Sequence, residues 1–258
     1  RGNYNYVYQN ENETPIRMEN LRVDYNLTAN HSFSFTLASF LDRQTGAVGI
    51  LTSGATNWPQ LTKTYQLHGQ GYILRYSGVL SPTLINETSL GFTRRPEGNS
   101  ATDAEIARNQ RVTIGYRAPQ FNPASNPLGL IPNATFGGVL NPANLFQEGR
   151  FPFRQRLNAF NLTNKLTKTI ATHTLKAGII LERNYQGSNS DGNFAGSFSF
   201  GRDVNNPLDT GYAYSNALLG VFGSYTEPSN RTNRKCRQHS YEWFVQDAWK
   251  ATRRLTLD

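Results

Sequence analysis

The chain has 258 residues, of which 37% are hydrophobic, 12% aromatic and 17% charged, with a net charge of +8. Few charges and many rings exclude a helical protein rich in Leu, Ala, Glu and Lys, and favour strands with one apolar and one polar face. The single cysteine, Cys236, excludes an internal disulfide and a cysteine metal cluster, and no apolar run approaches the roughly 20 residues of a membrane helix.

The first fifteen residues, RGNYNYVYQNENETP, read as a loop that leads into a strand at Ile16. From Leu21 to Leu27 the apolar residues Leu21, Val23, Tyr25 and Leu27 alternate with Arg22, Asp24 and Asn26. After a turn at 29–31, Phe33, Phe35 and Leu37 alternate with Ser32, Ser34 and Thr36, which predicts a tight hairpin. A second hairpin joins His68–Leu80 to Leu84–Arg95 through Ser81-Pro82-Thr83, with Tyr72, Leu74 and Tyr76 opposite in facing to Ile73, Arg75 and Ser77. A third runs from Phe153 to Leu166, turns at 168–171 and returns through Thr172 to Tyr185. There Leu175, Ala177, Ile179 and Leu181 alternate with Lys176, Gly178, Ile180 and Glu182. The fourth begins at Tyr241, puts Tyr241, Trp243, Val245, Asp247 and Trp249 on one face, turns at 251–253 and starts a new strand at Arg254.

The connections are unequal. Turns of a few residues at one end contrast with segments of about 43–66, 96–152 and 186–237 at the other, rich in Gly, Asn, Pro and Ser. Structureless loops of that length are foreign to a compact soluble domain. Predicted strands of about 11 to 14 residues also exceed the usual ~5–6. Both features suit an outer-membrane barrel, with short periplasmic turns and long extracellular loops. The expected fold class is therefore all-β, an antiparallel transmembrane β-barrel fragment of long up-and-down hairpins. Lipid offers no hydrogen-bond partner to the backbone, so such a sheet closes on itself and turns one face to lipid and the other to the lumen.

On this reading Phe33, Phe35, Leu37, Leu175, Ile179, Tyr241, Trp243, Val245 and Trp249 face lipid or its aromatic girdle. Arg22, Asp24, Arg75, Lys176 and Glu182 face the lumen. No catalytic constellation stands out, and no enzyme activity or cofactor is expected. His31, His68, His173 and His239 are isolated, with no zinc-ligand spacing. GSNSDGNFAG (187–196) has oxygen ligands but lacks the closing glutamate of a calcium loop, so Asx-turn chemistry is the expectation. DTGYAYSNALLG (209–220) is expected to form one short helix. Seven N-x-[ST] sequons occur, and two of them, Asn26 and Asn161, lie inside predicted strands where a glycan has no room. The basic residues are scattered. Their one local run, RTNRKCR (231–237), reads as a loop, and nucleic acid is not an expected partner.

The segment YEWFVQDAWKATRRLTLD resembles the Y-x-x-Y/F-V-Q-D-x-W-K-x-T-x-R-L-T-L segment of TonB-dependent outer-membrane receptors, in particular the Oar-like group with an N-terminal carboxypeptidase-regulatory-like domain. LRVDYNLTANHSFSF, SGVLSPTLINETSLGFTR and THTLKAGIILERN resemble other hairpin segments of that family, in the same order. The resemblance implies that residues 1–258 are an interior slice of a barrel of roughly 22 strands, with plug, regulatory-like domain and closing strands outside this sequence. It implies import of a bulky nutrient, such as an iron chelate, oligosaccharide or peptide. Its implied partners are outer-membrane lipid, lipopolysaccharide and the TonB system, the last through the absent N-terminal region. The alternative is a soluble or surface-attached all-β module that stacks glycans on its exposed rings.

Overall fold

The computed structural model describes residues 7–48, 50, 61–146, 150–189 and 192–258. Seven long strands dominate it: β1 (Ile16–Thr28), β2 (His31–Gly46), β3 (Lys63–Ser81), β4 (Leu84–Ser100), β6 (Arg154–Ile170), β7 (His173–Ser188) and β10 (Arg234–Trp249). They form one antiparallel meander in the order β1-β2-β3-β4-β6-β7-β10, and β1 and β10 each pair on one side only, so the sheet is not closed. Two-residue turns join β1 to β2, β3 to β4 and β6 to β7, all at one end.

The strands run for 13 to 19 residues, longer than the apolar alternation predicts. β3 starts at Lys63 rather than His68, and β4 continues to Ser100. Ladder hydrogen bonds are made by the backbone and do not stop where apolar side chains stop. The same cause corrects the reading of RTNRKCR: Arg234–Arg237 are the first four residues of β10, paired with Ser188–Tyr185 of β7. At the other end, the expected strand from Arg254 is only a bridge between Trp249 and Leu257.

Register makes the two faces continuous. Val23, Phe35, Leu74, Leu90, Leu162, Leu181 and Tyr241 form one row across all seven strands. The neighbouring row on the opposite face is Asp24, Ser34, Arg75, Ser89, Thr163, Ile180 and Glu242. A slip of one residue in any strand would interrupt both rows, which is why alternation specifies the pairing so firmly.

The long connections are not structureless. They supply α1 (Asp103–Arg108), α2 (Arg111–Ile114), α3 (Ala213–Leu219) and a small second sheet of β5 (Asn133–Phe136), β8 (Ser197–Phe200) and β9 (Ser224–Thr226), in which β5 and β8 run parallel. The expected helix within 209–220 is α3, ended by Gly220 at φ 74°, a left-handed cap that glycine adopts without strain. Buried apolar clusters lie here rather than in the main sheet. Leu61, Leu130 and Phe151 form one, and Ala134, Phe136 and Ala213 form another, closed by Phe198, Phe200 and Tyr214. Of GSNSDGNFAG, Ser190 and Asp191 lie outside the described residues, as do 1–6 of the opening loop.

Candidate functional site: a polar face under a loop cap

Alternation sends Arg22, Asp24, Arg75, Lys176 and Glu182 to one face of the main sheet. Arg22 grips Asp24 on its own strand, with Nη2 2.8 Å and Nε 2.9 Å from the carboxylate oxygens. Two strands away, Arg75 sits in the register row of Asp24, between Ser34 and Ser89. Beside it Lys165 Nζ of β6 lies 2.5 Å from Glu87 Oε2 of β4. These groups line a cleft of about 450 Å³. Lys176 and Glu182 are on the same face but outside this cluster, beside Thr167 and Gln246, and Asn161 and Ser240. Sequence reasoning missed Glu87 and Lys165. They are 78 residues apart, and only the β4–β6 register makes them opposite partners.

The other face is apolar. It carries Phe33, Phe35, Leu37, Leu175, Ile179, Tyr241, Trp243, Val245 and Trp249, all nine in phase. Trp243 is 78% and Tyr241 71% exposed, with no protein layer over them. Rings gather at two levels. Near the short turns, Trp249 stacks on His173 at 5.6 Å with 3° between planes, and His173 Nδ1 lies 2.7 Å from Asp247 Oδ2. Toward the loops, Tyr72 stacks on Phe92 at 6.2 Å, and Phe160 lies in their row. Tyr241 to Trp249 spans about 27 Å along the strand, or about 21 Å after a tilt of ~40°, close to the apolar height of a membrane barrel.

Among the described residues the loops bury positions of the polar face. At the loop end the buried strand positions are Lys63, Tyr65, Asn99 and Ser188, joined by Phe153, all in phase with Arg75. Their neighbours on the apolar side, Gln66, Arg154 and Arg156, are exposed. The loops are tied to one another. Thr62 N donates to Glu105 Oε2 at 3.0 Å, and Phe121 N and Asn122 N donate to Glu227 at 3.1 and 2.6 Å. Burial raises the Glu227 carboxyl, but the Tyr225 hydroxyl and these two backbone N–H groups outweigh it and hold it below its ordinary value. Asn216 is fully buried and makes four bonds. Its oxygen accepts from Thr210 N and Thr210 Oγ1, and its nitrogen donates to Gly201 O and Asp209 Oδ1. That amide, with the N–H groups of Gly211 and Asp203, holds Asp209 below the usual carboxylate range.

The histidines stay apart. His31 Nδ1 lies 2.9 Å from Tyr76 Oη, His68 Nε2 3.3 Å from Ser39 Oγ and His239 Nδ1 3.3 Å from Tyr241 Oη. Among the described residues no group of His, Cys, Asp and Glu is placed to hold a metal ion.

The family described as outer membrane beta barrel domain matches residues 1–258 of the chain. The fold is similar to that of the outer membrane transporter YddB from Escherichia coli, with a TM-score of 0.50 at 9% identity. That superposition covers 93% of this chain and 26% of the transporter, so the chain spans about a quarter of its length. No curated protein matches the sequence.

Proposed function

Since this chain belongs to the outer-membrane β-barrel family, we propose that it forms part of the wall of a TonB-dependent transporter of the Oar-like group that imports a bulky nutrient. The observation that carries this reading is the division of labour between the faces. A ring-bordered apolar face is left bare, and loops fold over the face that carries Arg22–Asp24, Arg75 and Glu87–Lys165. In a barrel the bare face meets lipid, the polar face lines the lumen, and the loops restrict its outer mouth. The open seven-strand sheet and the quarter-length match support a wall segment of a much larger barrel. Energy transfer from TonB enters through a plug outside this sequence. Cargo passes the wall chemically unchanged; in this reading the chain is not an enzyme.

The test uses the full-length barrel protein in cells. Val245→Arg places a charge midway between the Tyr241 and Trp249 rings, where Arg on the lipid face costs ~2–4 kcal/mol. Heat-resistant barrel in the outer-membrane fraction is expected to fall several-fold, and assembly at the normal level would overturn the face assignment. Deleting the barrel gene and deleting TonB are expected to abolish growth on the same nutrient. Two unrelated growth profiles would rule out TonB dependence.

A further inference from the structure

One cation of the polar-face cleft has no counter-charge. Within that space of about 450 Å³, Arg22 is bound to Asp24 and Lys165 to Glu87. Arg75 stands between these two pairs, and among the described residues it makes neither a hydrogen bond nor an ion pair. Three cations and two carboxylates line the cleft, so one positive charge is left over. It sits on an exposed guanidinium.

Register surrounds Arg75 with hydroxyls. Ser34 on β2 and Ser89 on β4 are its direct partners. One step toward the short turns, Ser77 follows it on β3 and pairs with Ser32. All four serines line the cleft, and among the described residues none of their hydroxyls is bonded. A guanidinium supplies a planar fork of N–H donors, and each hydroxyl supplies a donor that turns freely. Together they make a donor cradle for an oxyanion. The flanking pairs take no part, since each carboxylate is already held by its own cation. The single surplus charge matches one carboxylate, whereas a phosphate dianion would be left half neutralised.

We propose that this cradle receives a carboxylate of the passing cargo, so that the imported nutrient is a carboxylic acid rather than a neutral molecule. The proposal rests on the transporter reading and deepens it by naming a substrate class. Arg75 lies closer to the short-turn end of β3 at Ser81 than to the loop end at Lys63, so cargo meets it after the cap. A contact through one exposed guanidinium is weak and quickly released. That suits a step along a path better than a permanent seat. A carboxylate of the plug would make the same contact permanently, and the experiment separates the two sources.

The experiment is thiol labelling of the full-length barrel protein in outer-membrane vesicles. Thr163→Cys sets a thiol in the cleft, one strand beyond Ser89, and leaves the cradle intact. Cys236, exposed on the same face but on β10, is the internal reference. The label is a neutral, water-soluble maleimide, and the labelled peptides are read by mass spectrometry. Sodium gluconate, a hydroxylated monocarboxylate, is expected to slow labelling of the cleft thiol by about two-fold or more against sodium chloride of equal ionic strength. Glucose, its neutral counterpart, is expected to leave the rate unchanged. Arg75→Gln is expected to abolish the protection, and Arg75→Lys to retain part of it. A plug carboxylate seated in the cradle would shut gluconate out, so equal rates in gluconate and chloride overturn the proposal. Protection by glucose, or protection that survives Arg75→Gln, also overturns it. Should Arg75→Gln not assemble, the contrast between gluconate and glucose decides alone. Labelling of Thr163→Cys by a membrane-confined maleimide in place of the water-soluble one would instead overturn the lumen assignment beneath the proposal.

Discussion

Gly178 lies directly opposite Phe244, and a Cβ placed there would stand 2.4 Å from the Phe244 ring. The glycine leaves room for the ring to lie flat across β7, shielding backbone that would otherwise be bare. Gly178→Val is therefore expected to lower refolding stability of the full barrel in lipid vesicles by about 1–3 kcal/mol, the usual cost of overpacking, read as a lower urea midpoint. Asn216 occupies a different position in the energetics. Its four bonds have no substitute from water, since it is fully buried. Asn216→Ala is expected to cost about 1–3 kcal/mol for each polar group left unsatisfied, and to open residues 201–220 to protease while the sheet stays intact.

At the scale of elements, the four hairpins are legible in the sequence because Phe, Leu and Tyr alternate with Ser, Arg and Asn over whole strands, and backbone pairing follows. The start of β10 is not legible. In RKCRQH cations and polar groups occupy both phases, so no apolar face betrays the strand, and only pairing to β7 reveals it. The Glu87–Lys165 pair is hidden for the related reason that register between separate hairpins is a tertiary fact. The five lumen candidates share a face because period two decides facing. Which of them meet depends on neighbouring strands, so Arg75 joins Arg22 and Asp24 while Glu182 does not.

The loop cap has its own dependence on pH. Asp209 and Glu227 are both held below their ordinary values in the folded cap. Their ionised forms therefore stabilise it fully above the unfolded carboxylate value near ~4, and that contribution is lost as pH falls through the lower folded values. Amide protection in residues 201–227, taken relative to the unstructured exchange rate at the same pH, is expected to be high at pH 6 and to fall below about pH 3.5, before that of the main-sheet strands. Asp209→Asn is expected to reduce that difference.

At the scale of the molecule, an open sheet with two unpaired edges and an uncovered row of rings is not at rest in water. The 258 residues expressed alone are expected to need detergent and to aggregate when it is removed. A monodisperse, detergent-free product would favour a soluble glycan-binding module instead. Long-range neighbours in the main sheet are few in kind, since each strand pairs with the one before it among the seven, whatever the length of the connection.

The parallel pairing of β5 with β8 has a mechanical consequence. The β6–β7 hairpin is the link between them and returns the chain to the end it left, so β8 reaches β5 in parallel register through two long strands that lie side by side. The small sheet is thus a clasp fastened across the mouth of the third hairpin: a shift of register between β6 and β7 would displace β8 from β5 by the same step.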